Sequence, residues 1–303
     1  MTVDNSTSNI ALEGLVKRRT IPMWLQPLHT LVTRKYLGTF GAAVLLTMIL
    51  AAVLADVIAP YDPVAQHLPD KLKSPSAQYL LGTDQFGRDL LSRLIYGART
   101  SLYVGVGVVI LGTGAATILG TVSGYFGGKL DIIFQRLVDA VQSIPSLVLL
   151  LTIVSVVGPG ILNIIFALAF RQSISESRIV RSAVLGIKEN QYMDAARAIG
   201  ASHLRILSFY VLPNVLAPII VLASLTLGQA ILAEATLSFL GFGVPPPHPT
   251  WGSLLSDEGR RFMIAAPWMA FFPGLALSLA VFGINMFGDG LRDVLDPRLR
   301  GSR

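Results

Sequence analysis

The chain has 303 residues, 52% hydrophobic and only 14% charged, with a mean hydropathy of +0.62 and a formal net charge of +6. Soluble domains carry roughly 25% charged residues, so the composition excludes that class and indicates an all-α integral membrane protein. The absence of cysteine excludes a disulfide framework and a thiolate metal site, and His29, His67, His203 and His248 are too scattered for a zinc centre.

Residues 1–36 form a polar lead with Lys17, Arg18, Arg19, Arg34 and Lys35, and no cleavable signal peptide is visible in it. Leu37 to Ile58 is the first predicted span, uncharged until Asp56 near its end. It meets the roughly 20 residues needed to cross about 30 Å of hydrocarbon. Ala59 to Arg99 is a long polar loop with four prolines. Within it Gly87 to Arg99 places Leu90, Leu91, Leu94, Ile95 and Ala98 on one face, as a helix lying in the interface or packed on the bundle would.

Ser101 to Phe126 is the second span, and its Gly120 and Gly124 form a small-xxx-small pair suited to close helix approach. Leu137 to Val157 is the third, carrying Asp139, Gln142, Ser143 and Pro145 in its first half. A VGPG turn leads to a fourth segment that is apolar from Ile161 to Phe170. Arg171, Gln172, Ser173, Ser175 and Glu176 follow, so it spans only with that half facing protein or water. Pro213 to Leu237 and Trp268 to Phe287 complete six predicted transmembrane helices, with Trp251 and Trp268 as interface anchors.

Between the fourth and fifth spans lies Asn190 to Pro213, NQYMDAARAIGASHLRILSFYVLP. As a helix it puts Tyr192, Ala195, Ala196 and Ile199 on one side and Gln191, Asp194, Arg197 and Ala198 on the other. Asn190 is the predicted N-cap, Gly200 a left-handed C-cap, and Ser202 the cap of a second short helix running to Pro213. The pattern suits a surface that inserts into another protein, and also an ordinary loop between membrane helices.

With both termini inside, the inner segments hold five basic residues in 1–36, Lys129 and Arg136, six in 171–212 and four in 291–303. They account for 17 of the 24 Lys and Arg. The positive-inside rule therefore predicts an N-in/C-in topology with Asn190 to Pro213 on the inner side. That distribution explains the +6 charge without a nucleic-acid partner. The only Gly-Lys, Gly128-Lys129, precedes Leu130, so a GxxxxGK[ST] nucleotide loop is absent. Gly288-Asp289-Gly290 has no second membrane aspartate to make an aspartyl protease. Without a catalytic constellation, transport is the remaining use for six helices.

DAARAIG at Asp194 to Gly200, followed by Leu212-Pro213, resembles the EAA loop of ABC importer permeases, with Asp194 where that family usually has Glu. Leu81 to Gly105, LGTDQFGRDLLSRLIYGARTSLYVG, resembles the signature of the C-type subunits of dipeptide, oligopeptide and nickel permeases. Ala59-Pro60-Tyr61-Asp62-Pro63 and Ala235 to Gly252 resemble two further stretches of that subfamily, and the likeness covers roughly residues 30 to 300.

The resemblance implies a type I ABC importer permease fold. It divides the chain into the lead (1–36), a module of first span and outer loop (37–99), a five-helix permease core (100–290) with the EAA loop at 182–212, and a tail (291–303). It implies a B-type permease partner, two ATP-binding subunits that hold the ATP and magnesium (no cofactor in this chain), an extracytoplasmic binding protein, and a bacterial inner-membrane location. Asp194, Ala195, Ala196, Arg197, Gly200, His203, Leu212 and Pro213 would then dock on the ATPase, the alanines fitting a groove and Gly200 letting the chain turn.

Arg171 departs from the family pattern. About ten residues into its span, roughly 15 Å from the outer end, it must face the bundle interior or water. There it attracts a substrate carboxylate or pairs with Glu176 or Asp139. Gln142, Gln229 and Glu234 are the other candidates for the path, with inter-helix hydrogen bonding the alternative for Gln229 and Glu234. Import of peptides is the expected function. The alternatives are nickel or another small solute, or a secondary transporter, although no inverted repeat is visible.

Overall fold

The structure is a computed structural model that describes residues 36–295. Almost all of the lead (1–35) and the end of the tail (296–303) lie outside the described residues. The described residues form helices and no strand, apart from an isolated bridge between Thr83 and Asp89.

Helix α1, Tyr36–Val53, is the first span. One further turn, α2 (Ala55–Ile58), ends at Ala59. Ala59 precedes Pro60, whose ring drives the preceding residue out of the helical region, and Ala59 has ψ 123°.

Helices α3 (Leu90–Val108) and α4 (Gly114–Phe126) join through a π-helical turn at Val109–Thr113 into one 37-residue rod. The separate interfacial helix expected up to Arg99 is therefore the outer part of the second span. No proline interrupts 90–126, and Asp89 starts the helix by accepting from the Ser92 backbone N–H at 2.8 Å. At about 55 Å the rod exceeds the hydrocarbon thickness.

The third span is also redrawn. In place of one helix over Leu137–Val157 there are α5 (Gly128–Gln142) and α6 (Ser146–Val157), bent by 89°. Pro145, with ψ 128°, removes a donor and breaks the ladder between them. Helix α7, Ile161–Lys188, runs 28 residues with its polar half included.

Then come α8 (Gln191–Ala198) and a second 37-residue rod, α9 (His203–Ile206), a π-helical turn (Leu207–Val211) and α10 (Leu212–Phe239). Pro213 does not separate two segments as expected. It sits in the first turn of α10, a position that tolerates the missing N–H. Two short helices, α11 (Trp251–Leu255) and α12 (Asp257–Arg261), precede α13 (Trp268–Leu295).

Among the described residues four helices are long and apolar enough to cross a membrane, or five if the bent α5–α6 pair is one span. This is short of the six expected, because the polar half of α7 keeps it out of that set despite its length.

Three apolar clusters hold the bundle. Val104, Val108, Leu150, Val154, Ile164, Leu168 and Leu237 bring α3, α6, α7 and α10 together. Met48, Leu90, Ala98, Ile231, Trp251 and Ile284 join α1, α3, α10, α11 and α13. Tyr125, Val180, Val184, Met193, Ala196, Ile206 and Val215 seat the loop between α7 and α10. The small-xxx-small pair is at work here: a Cβ on Gly120 would lie 2.4 Å from the Ser177 carbonyl, and one on Gly124 3.1 Å from that of Arg181. Any larger residue would force α4 and α7 apart.

Trp251 is no interface anchor. It is buried, and its Nε1 donates to the Leu94 carbonyl at 3.0 Å. Trp268 likewise donates to Thr83 O at 3.1 Å.

Candidate functional site

Asn190 to Pro213 follows the end of α7 and runs into the start of the second rod. Asn190 does not cap α8; its side-chain amide turns back to the carbonyls of Gly186 and Ile187, at 3.3 and 2.9 Å, and closes α7. Ser202 does cap α9, accepting from the Arg205 backbone N–H at 3.4 Å. Gly200 has φ +75°, and the Ala201 N–H returns to Ala196 O at 3.1 Å, so the helix ends in a left-handed elbow.

The wheel expected from sequence divides differently. Met193 and Ala196 are the buried pair, at 0% and 2% exposure, and pack into the cluster shared with α4, α7 and α10. Tyr192, Ala195 and Ile199 face outward, with Ile199 78% exposed. Asp194 and Arg197 form a 2.8 Å ion pair on the outer surface. Leu212 and Pro213 are exposed, as are Leu204 and Phe209. His203 secures the elbow: its Nδ1 lies 2.8 Å from Tyr125 Oη, and its ring meets Tyr125 edge-on and Phe126 at a tilt. Of the eight predicted docking residues, Ala196 alone belongs to the chain's own core; the other seven are exposed, His203 while tethered to Tyr125.

The polar half of α7 is a lattice of charge. Arg181 grips Asp131 of α5 through Nε and Nη2, at 2.6 and 2.5 Å. Arg178 binds Asp139 and also donates to Gln135 and Gln142, each at 3.2 Å. Deeper in, Gln172 Nε2 donates to Glu176 Oε1 at 2.7 Å, and Thr226 Oγ1 of α10 donates to the same carboxylate. This buried link was not anticipated. Its signal lies in the spacing: Ile165, Ala169, Gln172, Glu176 and Val180 fall on one helical stripe, and all are buried.

The four path candidates do not converge. Gln142 is held by Arg178 at the end of α5. Gln229 is exposed on α10. Glu234 is fully enclosed, accepting from Ser238 Oγ at 2.6 Å and Ser101 Oγ at 3.4 Å, so it ties α10 to α3 and lines no open surface of this chain. Arg171 is half-buried and pairs with neither expected partner. Glu176 is engaged by Gln172 and Thr226, and Asp139 by Arg178, while among the described residues Arg171 Nη1 reaches only Gln172 Oε1 at 3.5 Å.

The outer loop holds a second centre that sequence reasoning left as a motif. Asp84 is 1% exposed and accepts from the backbone N–H of Phe86 and Arg88, at 2.8 and 3.0 Å. Arg88 Nε donates to its second oxygen at 2.6 Å, and Arg93 Nε lies 3.5 Å from that oxygen. Ser92 Oγ donates to Asp89 at 2.7 Å and accepts from the Tyr61 N–H at 3.0 Å, joining the Ala59–Pro63 stretch to the head of α3. Arg99 grips Asp56 at 3.0 and 2.9 Å and fixes α2 beside α3.

Residues 116–301 match the family model described as binding-protein-dependent transport system inner membrane component, which is more than half of the chain. The chain belongs to that permease family. Residues 33–75 match a second model, the N-terminal TM domain of oligopeptide transport permease C. The permease is 40% identical over 281 residues to the dipeptide transport system permease protein of Alkalihalophilus pseudofirmus, covering 91% of this chain and 90% of that one. It is 42% identical over 266 residues to the dipeptide permease of Haemophilus influenzae, covering 86% and 90%. It is 41% identical over 268 residues to the di/tripeptide permease of Pseudomonas aeruginosa, covering 86% and 88%. It is thus a multi-pass inner-membrane transport component. The EAA-like loop falls within the first match, and the Leu81 to Gly105 signature lies between the two.

Proposed function

We propose that this permease is one of two unlike transmembrane chains in an ATP-driven importer of di- and oligopeptides, fed by an extracytoplasmic binding protein. The peptide substrate is supported by the names of the three relatives, each a dipeptide or di/tripeptide permease. The observation that carries the mechanism is the two-sided α8. Met193 and Ala196 lock it into the bundle, while Tyr192, Ala195 and Ile199 are free for another protein.

Two ATPase subunits bind beneath the paired permeases and supply ATP and magnesium; this chain contributes no cofactor site. Closure of the ATPase dimer pushes on α8, and the push enters α7 directly and the second rod through the elbow at Gly200. The bundle then rocks as a body between two access states. In this reading α7 is the sixth span. Its apolar outer half and buried stripe face the bundle and its remaining polar face meets water or the second permease, with both termini in the cytoplasm.

Two measurements test the proposal. Peptide uptake into proteoliposomes should require the ATPase subunits and ATP; full uptake by the permease pair alone would make it a secondary carrier. The chain has no cysteine, so single-cysteine labelling reads topology cleanly. Ala195→Cys should label only from the ATPase side and Ile264→Cys only from the opposite side, and labelling of both from one side would overturn the six-span topology.

A further inference from the structure

Helix α7 divides its polar residues between two faces. Gln172, Ser173, Glu176 and Ser177 are buried against α4 and α10. Arg171, Ser175, Arg178 and Ser182 follow at spacings of four, three and four residues, so they form a stripe on the other face, half-buried or exposed. At Arg178 the stripe is met by Asp139, Gln135 and Gln142 of α5, whereas Ser175 and Ser182 are exposed and Arg171 is half-buried. A helix-to-helix contact in a bilayer favours small and apolar surfaces, whereas a continuous polar stripe belongs beside water.

Charge along the stripe is uneven. Arg178 is neutralised by Asp139 and further held by Gln135 and Gln142. Arg171 has, among the described residues, a single polar contact, 3.5 Å to Gln172 Oε1. That oxygen is aimed by the rest of the network. The Gln172 amide nitrogen must donate to Glu176 and Thr226, at 2.7 and 3.3 Å, which leaves the carbonyl end toward Arg171. One neutral acceptor leaves most of the five guanidinium donors available, in a planar fork that matches a carboxylate. With α7 as the sixth span proposed above, Arg171, about 15 Å along it, falls near the midplane of the hydrocarbon, where an intramembrane charge marks a functional site.

We propose that Arg171 receives a carboxylate of the transported molecule midway through the membrane, so that the permease itself favours substrates with a free acid group. The assignment rests on the peptide-import reading and narrows it. Ser175, one turn further along the stripe, supplies a hydroxyl for the same ligand.

The test uses the complete importer in proteoliposomes, with the binding protein saturated in turn by trialanine and trialanine amide. The unmodified complex should import the acid faster. Arg171→Gln should reduce the acid-to-amide rate ratio about tenfold, the loss of one charge-assisted hydrogen bond, and Arg171→Lys should keep most of it. The same binding protein serves every variant, so a change in ratio reads the permease. An unchanged ratio in Arg171→Gln overturns the proposal. So does an equal fall for both peptides, which would assign Arg171 to an acidic residue of the second permease or to helix packing. Absence of import of either peptide by the unmodified complex overturns the peptide reading instead, and is visible before any substitution is made.

Discussion

The two stretches that carry the family likeness use charge in opposite ways. In the outer loop, Asp84, Arg88, Asp89 and Arg93 are 1%, 6%, 2% and 4% exposed and partner one another or the local backbone. In the inner loop the side chains of Asp194 and Arg197 are 76% and 40% exposed, and it is Met193 and Ala196 that go inside. Both read in sequence as polar interruptions between apolar spans. The first is spent on folding, because buried charges must be satisfied on the spot; the second stays at the surface, where the proposed docking would use it. A motif's specificity therefore does not say which side of the surface it serves.

The sharpest way to break this contrast is at Asp84. Asp84→Ala removes the carboxylate shared by two buried arginines and by the Phe86 and Arg88 amides. The expected cost is about 3–5 kcal/mol, seen as a large drop in the thermal unfolding midpoint of the detergent-purified permease. A variant that melts like the parent would mean the outer motif is not a folding device.

Much of the architecture was legible from hydropathy and punctuation. Helices α1, α7 and α13 begin where apolar runs and turn residues placed them, and the close helix approach at Gly120 and Gly124 was legible from spacing, while its partner α7 was not. Boundaries failed where a local signal was outweighed. Pro145 bent a span that hydropathy carried straight through, and Pro213 was absorbed into a rod that its presence should have ended. The loop wheel grouped Ala196 with Tyr192, Ala195 and Ile199, but Ala196 goes inside with Met193, because single-helix periodicity cannot say which neighbour each side will meet. Glu234 reads in sequence as a path candidate or a hydrogen-bonding residue, and Arg171 as a substrate contact or a partner of Glu176 or Asp139; only tertiary contacts reveal that Glu234 is enclosed by serines and that the acids near Arg171 are already engaged.

The inner loop offers a finer test, because adjacent alanines lie on opposite sides of its surface. Ala196→Glu would drive a carboxylate among Val180, Val184, Met193 and Val215, at a cost of about 2 kcal/mol or more. Ala195→Glu adds charge to an exposed position and should change stability by less than about 0.5 kcal/mol. If the exposed face docks on the ATPase, Ala195→Glu nonetheless lowers coupled uptake in the assembled importer while the melting midpoint holds. Normal uptake with this variant would remove α8 as the docking element. Equal melting midpoints for the two variants would contradict the burial pattern.

The smallest effect is expected where the outer loop's charge reaches water. Lys73 Nζ and Tyr79 Oη donate to the two oxygens of Asp70, at 2.5 and 2.6 Å. The lysine, then the phenol, holds the Asp70 carboxyl below its ordinary value, and the carboxylate in turn pushes the Tyr79 phenol up to about 12. The signs differ. Asp70 has the lower pKa when folded, so its contribution is complete above the usual carboxylate range and fades as the pH falls below about 4. Tyr79 has the higher pKa when folded, so its contribution is complete below about pH 10 and is lost as the pH rises through about 12. The loop around residues 68–83 should accordingly be best protected from amide exchange between those limits. A tyrosinate absorbance titration should contain a component near pH 12 that Tyr79→Phe removes and Asp70→Asn moves toward 10. If Asp70→Asn leaves that component in place, the Asp70–Tyr79 contact does not set it, and the outer loop's charge is coupled only in its buried half around Asp84.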